Sequence, residues 1–308
     1  MGLVNTYSIG KIIKMNYHFV FKIHLLFLVF LISCTKKANF LIKANEVTPW
    51  CIIGFDSKDR TPNERITMIK EMGFKQYGYN KGKGNLNEMK EEFRLASKNN
   101  IKITSIFLWL NAERDTIGKL SSSNQELLRN LKDFKTKPAI WLSFSNNFFE
   151  KLNQEESIEL SLKMIKFVKM KADDLGCTLA LYNHHGWFGN PYNQIKILEK
   201  LNEDNVTMVY NFHHAHEYVE EFPAIVKKMK PYLSFVNLSG VKKEGPQILS
   251  IGEGDYEFKM IQQLLNHGYV GPWGILGHIE TEDVQMVLKK NVDGLELINS
   301  KLQIEKIK

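Results

Sequence analysis

Histidines are grouped at two places in the chain, and each group follows an apolar run. The stretch LYNHHGWFGN contains His184 and His185, and the stretch VYNFHHAHE contains His213, His214 and His216. Imidazole exchanges a proton near neutral pH and also binds divalent metals, so it serves as general acid, general base or metal ligand. Because Tyr-Asn precedes the histidines both times, the pattern indicates one site that is assembled from two equivalent segments.

Short apolar runs alternate with longer amphipathic stretches through residues 48–308, which is typical of buried parallel strands that are connected by helices. We predict eight strands, at Trp50–Phe55, Gln76–Tyr79, Ile103–Leu108, Ala139–Leu142, Leu179–Tyr182, Thr207–Phe212, Leu233–Leu238 and Trp273–Leu276. Helix starts are predicted near Thr61, Pro191, Asp255 and Thr281. This organisation predicts a single-domain α/β fold, a (β/α)8 TIM barrel. The rival fold is a doubly wound open sheet, whose usual glycine-rich turn after the first strand is missing here.

In a TIM barrel the active site forms at the carboxyl ends of the strands. Six of the seven histidines in the barrel region follow predicted strands five, six and eight: His184, His185, His213, His214, His216 and His278. The seventh, His267, lies near the end of a predicted helix. Because side chains alternate along an extended segment, at most one member of each adjacent pair is expected to face the barrel axis.

Other polar and aromatic residues also follow the predicted strands. Asn183, Asn211 and Asn237 supply amides, while Trp109 and Trp187 supply flat aromatic surfaces. Amides hydrogen-bond to sugar hydroxyls and aromatic rings cover sugar faces, so the expected partner is a small-molecule carbohydrate. Nucleic acid is not expected, because the net charge of +7 is spread through the chain without a basic run interleaved with aromatics.

The first residues read as a targeting segment. Lys11, Lys14 and Lys22 precede an apolar run that ends Leu31-Ile32-Ser33-Cys34, which resembles a bacterial lipobox. We therefore expect a signal peptide over residues 1–33, lipidation of Cys34, and a polar tether over residues 35–47. The expected location is the periplasm or outer membrane of a Gram-negative bacterium, as an exported, membrane-anchored lipoprotein that touches the membrane only through its lipid. The alternative is an uncleaved anchor with an incidental cysteine.

Three segments carry a resemblance to a known family: LALYNHHGWFGNPYNQ at 179–194, MVYNFHHAHE at 208–217, and the Gly-x-Gly-Asp segment with the following strand at 251–278. They resemble the xylose-isomerase-like barrels, or sugar phosphate isomerases/epimerases. The resemblance implies a TIM barrel that isomerises or epimerises sugars. It also implies, for many members, a divalent metal held by carboxylates and histidines at the ends of strands five to eight.

The sequence departs from that metal pattern. Tyr182 stands where the family often has Glu, Asn211 stands where it often has Asp, and Asn237 lies in the region of a usual His. Mg²⁺ and Mn²⁺ prefer anionic oxygens, so the family's carboxylate site is not expected. A histidine site for a borderline ion such as Zn²⁺ remains open, with His184, His214 and His278 as its ligands. The cofactor expectation is therefore none or a single divalent metal.

The function expected from these features is that of a sugar isomerase/epimerase-like enzyme. It would act on a sugar or keto-sugar by acid–base chemistry, with His185 and His214 as the proton-transfer pair. His278 and Asn183 would stabilise the developing oxygen charge, and Glu113 is a secondary base. The expected substrate contacts are Asn183, His184, Trp187, Asn211, His216, Asn237 and Lys81.

Two alternatives differ in chemistry. The loss of the metal carboxylates favours a non-catalytic sugar-binding lipoprotein on a degenerate barrel, whereas the concentration of imidazoles favours an enzyme. The same imidazoles also suit a keto-sugar lyase or hydrolase.

Overall fold

The computed structural model describes residues 41–81, 86–203 and 205–307. The predicted signal segment, Cys34 and the first part of the predicted tether lie outside the described residues. Within the described ranges, every helix is too short or too polar to cross a bilayer.

The strands are β1 (Thr48–Trp50), β2 (Gln76–Tyr79), β3 (Lys102–Leu110), β4 (Ala139–Phe144), β5 (Leu179–Tyr182), β6 (Val206–Asn211), β7 (Leu233–Leu238) and β8 (Trp273–Leu276). They form one sheet in the order β1-β8-β7-β6-β5-β4-β3-β2, and every hydrogen-bonded neighbour is parallel. Strands β1 and β2, at the two ends of this order, also lie in contact. The sheet is therefore a nearly closed barrel, and the predicted (β/α)8 fold is confirmed.

The helices are α1 (Pro62–Glu71), α2 (Leu86–Lys98), α3 (Ser122–Lys132), α4 (Gln154–Asp174), α5 (Gly186–Gly189), α6 (Pro191–Leu201), α7 (Phe222–Met229), α8 (Glu257–Asn266) and α9 (Val284–Ile307). Short 3-10 turns follow β4 at Asn146–Phe148, and follow β6 at Phe212–His214 and His216–Tyr218. Helices thus connect the strands in the alternation expected from the sequence.

Two helix starts agree with the sequence prediction and two do not. Thr61 caps α1 with a capping box, and Pro191 opens α6. Asp255 does not cap α8, whose N-cap is Tyr256. The last helix begins at Val284 rather than after Thr281, because the Asp283 carboxylate accepts the Gln285 N–H at 2.9 Å in the cap position.

The first strand is shorter than predicted, since it ends at Trp50 instead of Phe55. Cys51 has a φ of +58°, a left-handed conformation that an extended strand cannot contain. The chain therefore turns as soon as it reaches the barrel mouth, and Phe55 lies in the loop above it.

Aromatic rings close the interior of the barrel below the mouth. Trp50, Trp141, Tyr182 and Phe235 belong to one buried cluster, in which the Trp50 and Trp141 ring centroids are 4.5 Å apart. Trp50 Nε1 donates a hydrogen bond to the Tyr182 hydroxyl at 3.1 Å, which satisfies the indole without water. Any small ligand is consequently confined to the space above this layer.

Residues 41–47 belong to the barrel rather than to a free tether, because the compact unit begins at Leu41. Ile42 and Val47 are buried. Asn299 on α9 holds the backbone of Ile42 from both sides: its Oδ1 accepts the Ile42 N–H at 3.1 Å, and its Nδ2 donates to the Ile42 carbonyl at 2.8 Å. Apolar burial and this clamp explain why a segment that reads as a linker is packed.

Candidate active site

The first histidine pair leaves β5 through a tight turn. The strand ends at Tyr182, and the His184 N–H donates to the Tyr182 carbonyl at 3.0 Å, two residues back. The His184 and His185 ring centroids are then only 4.3 Å apart, and both side chains line the same cavity. The prediction that one member of the pair would point away is wrong, because side-chain alternation stops where the strand stops.

Gly186 makes this turn possible. Its φ is +64°, and a Cβ atom placed on it would lie 1.9 Å from Asn146 Oδ1 in the 3-10 turn after β4. Glycine alone adopts this conformation at no steric cost and also allows the close approach. The His-His-Gly sequence is thus a local device that points both imidazoles inward.

The second histidine pair lies in the 3-10 turn that follows β6. Asn211 Oδ1 accepts the His213 N–H at 3.0 Å and so starts this turn directly at the strand end. The His214 ring lies 4.5 Å from that of His184 and 4.4 Å from that of His185. One ring nitrogen from each of these three residues, which we call the histidine trio, lies within 4.8 Å of the others.

Two further histidines are held by the loop between β7 and α8. His213 Nδ1 lies 3.0 Å from the Gln247 carbonyl oxygen, and His216 Nδ1 lies 2.6 Å from the Lys242 carbonyl oxygen. A carbonyl only accepts, so in neutral rings these contacts place the proton on Nδ1 and leave the lone pair on Nε2. His213 and His216 are therefore each preset in one tautomer.

His278 follows β8 and lies apart from the trio. Its ring packs against Phe55 at 3.7 Å between centroids and lies 5.1 Å from the His213 ring. It does not belong to the group of side chains that could share one ion among the described residues. The structure thus puts His185, and not His278, beside His184 and His214.

The three predicted asparagines are buried, but they differ in their partners. Asn183 ties β5 to β6, because its Oδ1 accepts the Asn211 N–H at 2.6 Å and its Nδ2 donates to the Asn211 carbonyl at 3.2 Å. The Asn211 amide also donates to the Tyr182 hydroxyl. Asn237, by contrast, has no hydrogen-bond partner for either side-chain atom among the described residues. Only Asn237 has its full amide capacity left for a ligand or water.

The remaining predicted residues lie away from the trio's contacts. Trp187 Nε1 donates to Gln154 at 2.7 Å, and its ring packs on Phe149 at 4.6 Å. Lys81 donates to the Ser123 hydroxyl, and Glu113 is exposed on the loop after β3. None of Trp187, Lys81 or Glu113 lines the cavity beside the histidines. Their predicted roles require a substrate that extends beyond this cavity.

Burial keeps the clustered imidazoles neutral. It lowers the pKa of His184 to about 3 and that of His213 to about 4, with the neighbouring imidazoles adding to the effect. Burial also lowers the pKa of His185, His214 and His278, while Glu217 opposes the shift at His185 and Glu280 opposes it at His278. At pH 7 the site thus presents neutral rings, which act as bases or as metal ligands.

The cavity beside the trio has a volume of about 280 Å³, near the lower end for small-molecule sites. Gly186, Glu217, Tyr218 and Gln247 complete its wall with the histidines. Sequence reasoning missed Glu217, Tyr218 and Gln247. Glu217 and Tyr218 directly follow His216, and this adjacency was the signal that could have identified them. The approach of Gln247 is a long-range backbone contact that no local pattern encodes.

The donor set tests which metal the site suits. The positions that resemble the family's metal carboxylates hold Tyr182, Asn211 and Asn237, none of which carries a negative charge at pH 7. This does not fit a carboxylate site for Mg²⁺ or Mn²⁺. The histidine trio does fit an ion that prefers nitrogen ligands, and the side chains of His184, His185 and His214 would hold it.

Comparison with known proteins agrees with this architecture. The family model described as "Xylose isomerase-like TIM barrel" matches residues 66–295. The chain belongs to this family. No curated protein sequence shows a significant match.

Solved structures of xylose isomerase-like barrels are similar to the chain in fold. They include D-psicose 3-epimerase from Clostridium cellulolyticum H10, with a TM-score of 0.59, 13% identity, and coverage of 82% of this chain and 97% of that one. The 3-keto-D-glucoside 4-epimerase of E. coli has a TM-score of 0.60 and 15% identity, with coverage of 84% of this chain and 100% of that one. A probable 3-DHS dehydratase from Bacillus anthracis has a TM-score of 0.62 and 14% identity, with coverage of 81% of this chain and 98% of that one. At identities of 13–15%, these similarities show the fold alone.

Proposed function

We propose that the protein moves a proton on the carbon next to a carbonyl group, in a sugar or keto-sugar, as a sugar isomerase or epimerase. The observation that carries the proposal is the convergence of His184, His185 and His214 from two strand ends at the mouth of the barrel. Burial keeps these rings neutral, so each has a lone pair that accepts a proton at pH 7.

The proton inventory of the reaction is simple. A neutral imidazole takes the proton from the carbon beside the carbonyl, and the electron pair of the C–H bond moves onto the carbonyl oxygen as an enediolate. Returning the proton to the other face of the same carbon inverts it. Returning it to the neighbouring carbon, with transfer of the hydroxyl proton between the two oxygens, interconverts aldose and ketose. His185 suits the first step, because it is the most exposed of the trio and Glu217 counteracts the lowering of its pKa by burial.

The spacing of the predicted pair favours transfer on one face of the substrate. The His185 and His214 rings are 4.4 Å apart. Reacting atoms approach to about 3–3.5 Å, so a sugar carbon does not fit between the two rings. The pair therefore acts from one side, which suits isomerisation. Epimerisation requires an additional proton-transfer group on the opposite side of the substrate.

The lining of the cavity favours an unphosphorylated substrate. Among the described residues, its wall contains no lysine or arginine side chain, and Lys81 is engaged by Ser123. Phosphate sites normally provide a cation or a helix N-terminus. The similar structures named for D-psicose and 3-keto-D-glucoside epimerases support a keto-sugar as the substrate class.

A lyase reaction is the second candidate. The enediolate that isomerisation forms also expels a leaving group from the next carbon, which is elimination. The similarity to a probable dehydratase supports this variant.

The test is solvent exchange. Keto-sugars and reducing sugars incubated with the protein in D₂O should acquire deuterium next to the carbonyl, as read by NMR. His214→Gln should lower the exchange rate by about 10²- to 10⁴-fold, the usual contribution of a general acid or base. His267→Gln is the matched control, because His267 lies outside the mouth and contacts the Gln263 carbonyl at 2.8 Å. Sugar binding without exchange would reject the proposal in favour of a binding protein.

A further inference from the structure

The histidine trio differs from His213 and His216 in lacking protein partners among the described residues. His213 and His216 each contact a loop carbonyl, whereas no ring nitrogen of His184, His185 or His214 has a hydrogen-bond partner among the described residues. Nδ1 of His184 and Nδ1 of His214 are also shielded from solvent. A buried polar atom without a partner costs about 1–3 kcal/mol, so a ligand or water bound at these two nitrogens would add stability.

The three rings are arranged around one point. Their centroids are separated by 4.3, 4.4 and 4.5 Å, and one nitrogen of each lies within 4.8 Å of the other two. Hydrogen bonding to water satisfies single nitrogens, whereas one cation binds three neighbouring nitrogens together.

We propose that His184, His185 and His214 form a metal site that takes one ion of the Zn²⁺ class and discriminates against Mg²⁺ and Mn²⁺. The discrimination follows from the donor atoms, because neutral nitrogen ligands suit borderline ions whereas Mg²⁺ and Mn²⁺ need carboxylate oxygens.

The site is not the carboxylate site that the family resemblance implies. In the pattern that the resemblance implies, His184 and His214 stand at histidine positions, but Tyr182 and Asn211 replace the carboxylates and Asn237 lies in the region of a usual His. The aromatic layer that includes Tyr182 fills the deeper part of the barrel. The trio lies above this layer, at the wall of the open cavity.

The use of the ion rests on the proposed function, although its binding does not. Three protein ligands leave one coordination position for a substrate oxygen, and a metal there polarises a carbonyl. The two proposals describe different states of the trio: the metal-free rings accept protons, whereas the metal-bound rings use the same lone pairs as ligands.

The experiment measures metal binding directly. The full protein, stripped with chelator and dialysed, is titrated with Zn²⁺, Mg²⁺ and Mn²⁺ by calorimetry at pH 7.5. Co²⁺ serves as a spectroscopic probe of nitrogen coordination. We expect one Zn²⁺ per chain and a visible Co²⁺ absorption band, with the affinities for Mg²⁺ and Mn²⁺ at least 100-fold weaker.

His185→Ala should lower the affinity for Zn²⁺ at least 100-fold, because it removes one of the three ligands. His185 is exposed, so its loss leaves the fold intact. Circular dichroism of the variant checks that fold.

His278→Ala is the matched discriminator, since it removes an imidazole from the same mouth but outside the trio. Its Zn²⁺ affinity should stay within threefold of the parent. Absence of Zn²⁺ binding, binding that survives His185→Ala, or binding that is lost in His278→Ala would each overturn the proposal. Sugar turnover without Zn²⁺ binding would reject only the metal site. Zn²⁺ binding through the trio without turnover of any sugar would reject only the proposed function.

Discussion

Two clusters of titratable side chains lie in this barrel, and they are built in opposite ways. Between α1, α2 and β2, the Glu92 carboxylate accepts from Arg65 Nε at 2.9 Å and from the Tyr77 hydroxyl at 2.8 Å. All three side chains are at most 2% exposed. At the barrel mouth, the nitrogens of His184, His185 and His214 face one another without any protein partner among the described residues.

The difference separates a structural site from a functional one. A cluster whose donors and acceptors are matched internally has no capacity left for a ligand, so its role is to join the elements that carry it. A cluster that leaves converging polar atoms unmatched in a cavity loses stability that the fold must supply elsewhere, and it retains those atoms for an external partner. Substitutions should therefore affect stability at the first cluster and chemistry at the second.

The largest expected effect is on stability, at the matched cluster. Glu92→Leu leaves Arg65 buried without its counter-charge and should lower the free energy of unfolding by about 3–5 kcal/mol. Turnover per folded molecule should not change. Chemical denaturation measures the first quantity and exchange kinetics the second.

Glu91→Gln is the matched control for that substitution, because Glu91 is next to Glu92 on α2 but its side chain is 49% exposed. Its effect should stay within about 0.5 kcal/mol. Equal effects of the two variants would remove the contrast between the clusters.

An intermediate effect is expected from pH. In chelator-treated protein, burial lowers the pKa of His213 to about 4, below its unfolded value near 6.5. The unfolded chain therefore takes up the proton first as the pH falls, and stability is lost between pH 6.5 and about 4. The loss approaches about 1.4 kcal/mol per pH unit for each fully buried histidine. His213→Asn should flatten the pH profile of the denaturation midpoint, and an unchanged slope would show that His213 is not held neutral.

The smallest expected effect on stability comes from the turn at Gly186, which orients His184 and His185. Gly186→Ala places a Cβ in a left-handed conformation, which costs about 1–2 kcal/mol. It also brings the new atom within 1.9 Å of Asn146 Oδ1, so the turn must shift and carry His185 with it. Exchange rate and Zn²⁺ affinity should fall together.

Gly73→Ala is the control for backbone strain alone, because Gly73 has a φ of +79° and no atom within 4 Å of its would-be Cβ. It should show only the backbone cost of about 1–2 kcal/mol and leave the exchange rate unchanged. If Gly73→Ala also lowers exchange, the effect at Gly186 reflects general destabilisation.

Much of the barrel is predictable from local patterns. Strands such as Gln76–Tyr79, Leu179–Tyr182 and Trp273–Leu276 are found where they were expected, because buried parallel strands are continuously apolar. The end of β1 was missed, since the left-handed Cys51 leaves no mark in a hydrophobic run. The packed segment around Ile42 was missed as well, because its burial depends on Asn299, which is distant in sequence.

The candidate site was predictable in its residue types and in the end of the barrel where they lie. Its internal arrangement was not. The expected metal set contained His278, whereas the geometry replaces it with His185, because the turn after Tyr182 cancels the alternation of side chains. The predicted catalytic and binding roles of these residues stay predictions until turnover is measured.

The sequence by itself determined the eight strands of the barrel and the placement of histidines just after strands five, six and eight. Both are local properties, set by hydrophobic runs and by the residues that follow them. Only the tertiary structure decided which imidazoles lie close together, which contact a loop carbonyl oxygen, and which lie outside the histidine trio. Those relations depend on turns outside regular structure and on contacts between segments far apart in the chain, such as His213 with Gln247 and His216 with Lys242. The hydrophobic periodicity of the sequence does not predict such contacts.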